Sequence, residues 1–542
     1  MSAPVGGPVG ESAAVGTSTG RVLAKASLIL TVAGLASRLL GWLRLSVIGS
    51  QFGASRELDA YFAAFRIPDL LYQLVIAGAL GAALIPVFSS YRARGEEAEA
   101  WRLASSVINL VLIVLAGFAL VMAILAPWLV PFIAPGFDAH TTELTVRMTR
   151  VMLLSPIFIG MGAVVSGILN SYEHFALPAI APLVYNGAII LAAVVLAPLM
   201  GVEALAVGVA LGSLAHLAIQ LPQLRTVGRR YRLTLEFAHP GVRRVAWLMG
   251  PRVIGLAAGQ VNFIVATVLA SGLVAGSLTA FNYAFQLMQV PAGVLGVSVA
   301  VAIFPGLSRA AALGRVGDVR RQVAKSLRLQ LFVIVPLMAI MLVLGNQITA
   351  SVFQYGRFTA DATSQTANAL LFFTIGLIAY TVVNVLARAF YALQDTRTPV
   401  GWAIAMVALN VPLMVLLTGP LGIRGLALAL SITANLQVMG LYWALHRRLG
   451  GLALDEMIGS LVRSAVAGGV AGGLLFAGAQ LAERWVPEAE ANGFGRLALL
   501  GVLSSLGLAA YLAVGLLLRA PEIGELRELL RRRRRHPAKA AE

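Results

Sequence analysis

Charged side chains lie inside segments of this sequence that are otherwise apolar enough to cross a membrane. Arg38 and Arg44 fall in the first such segment, Asp59 and Arg66 at the second, and Arg252 in the seventh. A charge at mid-bilayer costs about 2.5–3.5 kcal/mol on insertion scales, so such residues usually line a polar cavity. A guanidinium stays charged and binds phosphate or carboxylate through paired hydrogen bonds. Several arginines with few internal acids favour a polyanionic ligand, such as a diphosphate, over a metal or organic cation.

Each of these residues also has a purely structural interpretation. An isolated arginine can extend to the membrane interface or pair with a helix carbonyl, which applies most strongly to Arg150 and Arg388. Asp59 could cap its own helix by accepting backbone N–H bonds. Asp69 is a candidate for local packing or for pairing with an arginine rather than with a ligand. Both interpretations remain open at this stage.

Four amide side chains are further candidates for lining a polar cleft. They belong to the seventh and eighth spans and are Asn262, Asn282, Gln286 and Gln289. Amides inside membranes also form ordinary hydrogen bonds between helices, so their type alone does not assign them to a ligand.

The elements that must position these residues are membrane helices. Of the 542 residues, 59% are hydrophobic and 12% charged, and the mean hydropathy is +0.85. Apolar runs of about 20 residues recur along the chain. They predict an all-α polytopic membrane protein with about fourteen transmembrane helices, preceded by a disordered tail over residues 1–24.

The motifs that would indicate an enzyme are missing from the sequence. The chain has no cysteine, its six histidines are scattered, and it has no nucleotide-binding loop. We therefore predict no catalytic residues, no metal and no cofactor.

The basic residues are distributed unevenly between the predicted loops. If both termini are cytoplasmic, most of the 41 Lys and Arg fall on the cytoplasmic side, including "RTVGRRYR" and "RRRRR". The positive-inside rule expects this asymmetry. It accounts for the net charge of +17 by topology and contact with membrane lipids, without nucleic acid as a partner.

Short sequence echoes recur at an offset of roughly 215–220 residues. "SRLLG" (37–41) echoes "PRVIG" (251–255), which places Arg38 and Arg252 at matching positions, and "GILNSYEHFALP" (167–178) echoes "RAFYALQDTRTP" (388–399). A parallel repeat of this kind predicts two six-helix lobes with the ligand site in the cleft between them. The predicted lobes cover residues 25–232 and 233–450, followed by two further spans over 451–520 and a basic cytoplasmic tail over 521–542.

Several motifs together resemble one known family. "ASRLLGWLR", "FGASRELDAYFAAFRIPDLL", "PAGVLGVSVAVAIFPGLSR", "VFQYGRFTADAT" and "FYALQDTRTPV" are similar to segments of the MurJ (MviN) family, within the multidrug/oligosaccharidyl-lipid/polysaccharide exporter superfamily. The resemblance implies a flippase that moves lipid II, the undecaprenyl-diphosphate-linked peptidoglycan precursor, from the inner to the outer leaflet by alternating access. It also implies a bacterial inner-membrane location and a role for Arg38, Arg44, Asp59 and Arg66 in the charged cavity.

Some charges that the family carries are replaced in this chain. Leu45 stands where an acid usually follows Arg44, and Phe285 and Gln286 stand where an Asp-Arg pair is usual. Tyr72, Gln73 and Ala77 likewise replace charges late in the second span. These departures keep three alternatives open: export of another lipid-linked oligosaccharide, a non-transporting scaffold that recruits cell-wall synthesis proteins, and cation-coupled drug export, which the scarcity of buried acids disfavours.

Overall fold

A computed structural model describes residues 11–73, 81–228, 231–452, 454–485 and 493–535. Within these ranges the side chains of 11–28, 30, 81, 82, 250–258, 454, 455 and 529–535 are not described. All regular structure in the described part of the chain is helical. In chain order the helices are α1 Glu11–Phe52, α2 Arg56–Ala64, α3 Arg66–Leu71, α4 Gly81–Ala93, α5 Glu97–Ile133, α6 Ala139–Met152, α7 Leu154–Ser171, α8 Ala176–Val195, α9 Ala197–Met200, α10 Glu203–Ala218, α11 Leu221–Thr226 and α12 Pro240–Ser271. The remaining helices are α13 Ser277–Pro291, α14 Ser298–Ala312, α15 Val316–Val343, α16 Gly345–Phe353, α17 Ala360–Thr374, α18 Leu377–Ala392, α19 Arg397–Leu421, α20 Ile423–Arg448, α21 Leu454–Trp485, α22 Gly493–Leu517 and α23 Pro521–Arg535.

The described helices include many that can cross a membrane. Eleven helical stretches are long and apolar enough when α6–α7, α10–α11 and α13–α14 are each taken as one, or up to twelve when α17 and α18, bent by 43° at their junction, also count as one span. The prediction of an all-helical, multi-pass membrane protein is confirmed in this form. Two of the predicted spans, α2–α3 and α12, are not in this set; residues 74–80 and the side chains of 250–258 lie outside the described part, and the described apolar stretch of α12 is Gly259–Ser271. Helix α1 begins at Glu11, inside the segment that the sequence predicted as a disordered tail.

Two compact units divide the chain. One contains Met1–Gln51, Ala64–Val130 and Ala139–Ala257, and the other contains Phe52–Ala63, Pro131–Asp138 and Ala258–Glu542. The second unit therefore includes two short segments from the first half of the sequence.

In the first unit, small residues let helices approach closely. A side chain at Gly208 on α10 would lie 2.6 Å from the Ala192 methyl on α8, which only glycine avoids. Aromatic packing completes the core near the start of α5, where the Phe88 ring lies 6.4 Å from that of Trp101 and 6.0 Å from that of Tyr172. Membrane helices associate through close packing of this kind because lipid offers no hydrophobic drive between them.

In the second unit, α13 and α14 are joined by a π-helical turn over Ala292–Val297. A side chain at Gly296 in this turn would lie 3.0 Å from the Thr381 carbonyl oxygen, so α18 crosses here at close range. The last two long helices, α21 and α22, pack on α15 through Tyr511, Phe332 and Ala467.

The sequence echo has a backbone counterpart. Glu173 and Gln394 occupy matching positions of the echoed segments, and both adopt a left-handed conformation, with φ of 63° and 59°. A further echo pairs "IPVFSSYRARG" (85–95) with "FPGLSRAAALG" (304–314), and its last residues, Gly95 and Gly314, have φ of 76° and 66°. Left-handed backbone is uncommon for residues other than glycine. The shared values at Glu173 and Gln394 therefore indicate that the two echoed segments have similar local backbone structure.

Asp395, in the loop before α19, anchors the start of that helix. Its carboxylate accepts hydrogen bonds from the Thr398 backbone N–H at 3.0 Å and the Thr398 hydroxyl at 2.8 Å, and it pairs with Arg448. The backbone N–H of Thr398 is the main cause that lowers the pKa of the Asp395 carboxyl, with the Thr398 hydroxyl and Arg448 acting in the same direction.

This anchor predicts a pH-dependent contribution to stability. Because the folded pKa lies below the unfolded value of about 3.9, the carboxylate stabilises the fold above about pH 4, and the contribution is lost as pH falls through the folded pKa. We expect Asp395→Asn to cost about 1 kcal/mol at pH 7 and progressively less below about pH 4. Thermal unfolding in detergent measures both. Asp361→Asn, an exposed acid in the first turn of α17, is the control; an equal loss at pH 7 and pH 3 for Asp395→Asn would contradict the assignment.

Candidate functional site

Asp59 is fully buried and caps a helix far away in the sequence. One carboxylate oxygen accepts the Gly276 backbone N–H at 2.8 Å, and the other accepts the Thr279 backbone N–H at 2.7 Å and hydroxyl at 2.8 Å. These donors belong to the first turn of α13, whose N–H groups have no partner within the helix. A carboxylate there is also favoured by the helix dipole.

Arg56 makes the reciprocal contact with the end of α12. Its guanidinium donates to the Ser271 and Leu273 carbonyl oxygens at 3.0 and 3.1 Å. The guanidinium also lies 5.7 Å from the centre of the Phe137 ring. One turn of α2 therefore holds both ends of the α12–α13 connection. We call Arg56, Asp59 and their partners on residues 271–279 the clasp.

Glycines let the backbone segments of the clasp approach each other. A side chain at Gly276 would lie 2.3 Å from the Ala54 carbonyl oxygen, and φ at Gly276 is +86°. Gly136 donates its backbone N–H to the Ser271 hydroxyl at 3.0 Å. The clasp is thus a dense set of backbone contacts within the second unit.

The structure corrects the local capping role that the sequence allowed for Asp59. Ser55 takes that role, because its hydroxyl accepts the Leu58 backbone N–H at 3.3 Å. Arg56 is not among the site residues predicted from the sequence. Its spacing of three from Asp59 puts both on one face of a helix and was the available signal.

Arg66 begins α3, seven residues after Asp59, and interacts with a nearby acid. Arg66 and Asp69 attract each other electrostatically on α3, and the Gln73 amide lies 3.5 Å from the Asp69 carboxylate. The pairing role that the sequence proposed for Asp69 matches this arrangement.

The arginines of α1 point in different directions. Arg38 is exposed, whereas Arg44 is half-buried and its Nε has no hydrogen-bond partner. Six residues separate them, or about 240° around a helix, so they do not share one face. Arg252 lies on α12, and its side chain is outside the described residues.

The predicted amides separate into two groups. Asn262 accepts a hydrogen bond from Asn410 at 2.9 Å, and Asn410 accepts one from Thr433 at 3.2 Å, which links α12, α19 and α20. This arrangement is the interhelical bonding that the sequence offered as the alternative.

Asn282, Gln286 and Gln289 instead form a stripe along α13. Gln286 and Gln289 are exposed, and Asn282, one turn earlier, donates to the Leu278 carbonyl oxygen at 2.6 Å. An exposed polar stripe on a membrane helix is typical of a surface that meets water or a polar ligand.

Three further residues from the sequence analysis, Phe285, Arg150 and Arg388, contact neighbouring helices or rings. The Phe285 ring lies 5.0 Å from Phe263 and 5.5 Å from Phe373, so an aromatic cluster fills this position. Arg150 donates to the Ala123 carbonyl oxygen at 3.0 Å, which agrees with its structural interpretation. The Arg388 guanidinium lies 5.6 Å from the centre of the Phe304 ring.

Comparison with known proteins adds sequence relatives. The family model described as "Lipid II flippase MurJ" matches residues 48–492. The "Lipid II flippase MurJ" of Burkholderia cenocepacia is 33% identical over 430 residues, covering 78% of this chain and 83% of that protein. The "Probable lipid II flippase MurJ" of Rhizobium tropici is 31% identical over 531 residues, covering 94% of this chain and 98% of that protein.

Solved structures agree in fold. A lipid II flippase MurJ in an inward closed conformation matches with a TM-score of 0.75 at 23% identity, covering 91% of this chain and 99% of that chain. An inward-facing multidrug resistance MATE family transporter of the MOP superfamily matches with a TM-score of 0.64 at 16% identity, covering 76% of this chain and 94% of that chain. The resemblance inferred from sequence motifs is therefore confirmed: this chain belongs to the lipid II flippase MurJ family.

Proposed function

We propose that this protein is a flippase that moves lipid II from the inner to the outer leaflet of a bacterial inner membrane by alternating access. The family match over residues 48–492 is the observation that carries the proposal. The relatives covering most of the chain have names that state the same function. A transporter of this kind needs no catalytic residues, only two states with different access to the ligand.

We further propose fourteen spans arranged as two six-helix lobes over residues 25–232 and 233–450. Spans 13 and 14 (451–520) and the basic tail (521–542) follow them. The eleven long helices, the bent α17–α18 pair and the two charged segments α2–α3 and α12 would make up this number. The left-handed residues at matching positions support a duplicated architecture. Both termini would be cytoplasmic, as the distribution of basic residues favours.

The proposed ligand site combines the intramembrane arginines with the polar stripe of α13. Arg38, Arg44, Arg66 and Arg252 would hold the diphosphate, and Asn282, Gln286 and Gln289 would provide neutral hydrogen bonds beside it. Arg44 supports this assignment because its buried Nε lacks a partner, a costly state for a charged group unless a ligand supplies one.

Asp59 would act through the clasp in this scheme. It is fully buried and accepts three hydrogen bonds within the clasp, and a carboxylate has no hydrogen to donate to a diphosphate. The clasp joins α2, from the first half of the sequence, to α12 and α13, from the second half. A change of state that separates α2 from the α12–α13 connection would break these bonds.

The direct test is reconstitution of the purified chain into vesicles with fluorescently labelled lipid II. We expect protein-dependent loss of the label from the leaflet in which it starts, which a membrane-impermeant quencher measures. Vesicles without protein are the control. Movement of a different lipid-linked oligosaccharide, with lipid II left in place, would favour the alternative substrate, and movement of neither would favour the scaffold.

A further inference from the structure

Residues 231–239, which precede α12 in the first unit, lie along the start of α5. The Asn109 side-chain amide donates to the carbonyl oxygens of Arg232 at 3.4 Å and Thr234 at 2.7 Å, and the Ser105 hydroxyl accepts the Arg232 backbone N–H at 3.1 Å. The segment is neither helix nor strand, so these bonds from α5 supply partners that its backbone would otherwise lack. We call residues 231–239 the connector.

Polar contacts also hold the far end of the connector to α5. The Arg102 guanidinium pairs with Glu236 at 2.6 Å and with Glu99 at 2.7 Å. His239 is buried, and its Nδ1 accepts a backbone N–H at 3.0 Å. Its Nε2, 3.3 Å from the Glu99 carboxylate, is then the nitrogen that donates. The connector therefore follows α5 outward from Asn109 towards the first turn of that helix.

One side of the connector is apolar and exposed. Leu233 is 88% exposed, Leu235 42% and Phe237 60%, whereas Thr234 and Glu236 between them are partly buried. Side chains alternate between opposite sides of an extended chain, and Glu236 bonds to α5, so the three apolar residues face away from that helix. We call Leu233, Leu235 and Phe237 the connector stripe.

The sequence of α5 gives the level of the connector stripe relative to the membrane. No charged residue follows Arg102 in α5, and an apolar run begins directly after Asn109 and continues to Ile133. A run of about 20 apolar residues crosses the hydrocarbon layer, so Asn109 lies near the boundary between hydrocarbon and head groups. Arg102 is seven residues, or about 10 Å, further out. Leu233, between the two residues that Asn109 holds, therefore meets the edge of the hydrocarbon.

Trp247 reaches the same level from α12. A side chain at Gly241 would lie 3.0 Å from Leu103, so α12 begins beside the second turn of α5. Trp247 is six residues, or about 9 Å, further along α12, and it is 76% exposed. Tryptophan is enriched where hydrocarbon meets head groups.

The charges around the connector stripe are positive. Arg232, Arg243 and Arg244 are exposed, and none of them forms an ion pair with an acid in the described part of the chain. The two acids beside the connector, Glu99 and Glu236, are already paired with another arginine. Three guanidinium groups thus lie in the head-group layer with no acid of their own to neutralise them.

We propose that the connector stripe and Trp247 insert into one leaflet, where the three exposed arginines bind the phosphate groups of anionic phospholipids. Lipid is the occupant that fits, because Leu233 and Trp247 lie at the depth of the bilayer rather than in water. Charge selects the head group, since basic residues near a membrane surface attract anionic lipids. With both termini cytoplasmic, this leaflet is the inner one. The proposal does not depend on which lipid the protein transports.

A single spin label tests the insertion. The chain has no cysteine, so Leu233→Cys carries a nitroxide at one defined position. In nanodiscs of phosphatidylglycerol and phosphatidylcholine we expect the label to collide more often with oxygen, which concentrates in lipid, than with a water-soluble nickel chelate. Glu96→Cys, at an exposed residue just before α5, is the control and should give the reverse order.

A fluorophore on the same cysteine tests the choice of head group. With the two lipids in equal amounts and one of them brominated, brominated phosphatidylglycerol should quench about threefold more strongly than brominated phosphatidylcholine. The preference should vanish in Arg232→Gln/Arg243→Gln/Arg244→Gln. A rise in salt should also remove it from the unaltered arginines, a test that needs no variant of them. The matched control, Arg309→Gln/Arg315→Gln/Arg320→Gln, removes three exposed charges elsewhere and should keep the preference.

Three results would overturn the proposal: a label at residue 233 that meets the nickel chelate more than oxygen, equal quenching by both lipids at low salt, or equal loss of preference in both triple variants. The first result would leave the connector stripe in water, where a soluble protein could bind it. Both measurements are made without lipid II. A chain that passes them and fails to move lipid II would therefore reject the proposed function and retain this surface, and the reverse result would do the opposite.

Discussion

Asp59→Asn is expected to slow lipid II translocation about tenfold or more in reconstituted vesicles. In the unaltered protein the Gly276 N–H and the Thr279 donors each face a carboxylate oxygen of Asp59. The asparagine keeps only one acceptor oxygen, so its NH₂ group faces one of these sets of donors. Leaving a buried donor unpaired costs about 1–3 kcal/mol, and a cost of 1.4 kcal/mol is tenfold in an equilibrium. The state with a formed clasp would lose population, and a cycle that visits this state would slow.

Two comparisons separate the clasp from a general effect of charge. Glu57→Gln changes an exposed acid in the first turn of the same helix and should leave transport near its original rate. Thr279→Val keeps the size of the side chain and removes the hydroxyl that Asp59 accepts. The effects of Asp59→Asn and Thr279→Val should be non-additive, because both act on one set of bonds. A well-folded Asp59→Asn protein that transports normally would exclude a role for the clasp in the cycle.

Arg44→Ala is expected to reduce lipid II translocation about 100-fold. A guanidinium that binds a diphosphate through two charge-assisted hydrogen bonds contributes about 3 kcal/mol, and the half-buried Arg44 has an Nε free to do so. Arg44→Lys should retain part of the activity, because it keeps the charge and loses the planar pair of donors. Initial rates in vesicles measure the loss of translocation. Lipid II binding in detergent measures the loss of affinity.

The matched control for Arg44 is Arg150→Ala. It removes the same charge from a membrane helix, but its guanidinium donates to the Ala123 carbonyl oxygen. We expect little change in lipid II binding. Arg38→Ala and Arg252→Ala extend the test to the matching positions of the repeat. Unchanged transport in all three alanine variants at Arg38, Arg44 and Arg252 would remove the arginine-based site.

Hydropathy and short motifs carried much of the information about this protein. The membrane class followed from apolar runs of helix length, and the family followed from stretches such as "FGASRELDAYFAAFRIPDLL". The spans predicted at α2–α3 and α12 lie partly outside the described residues and stay predictions.

The membrane class, the family and the residue types in the apolar segments all follow from the order of amino acids. These properties depend on side chains within about 20 residues of each other, the length that crosses a bilayer. The contacts that several of those residues make depend instead on how the helices pack. From the sequence, the Asp59 carboxylate could accept hydrogen bonds from the N–H groups of its own helix. In the structure its donors lie at Gly276 and Thr279, more than 200 residues away. Helix packing brings these groups together, and a buried carboxylate takes the unpaired N–H groups that packing places beside it.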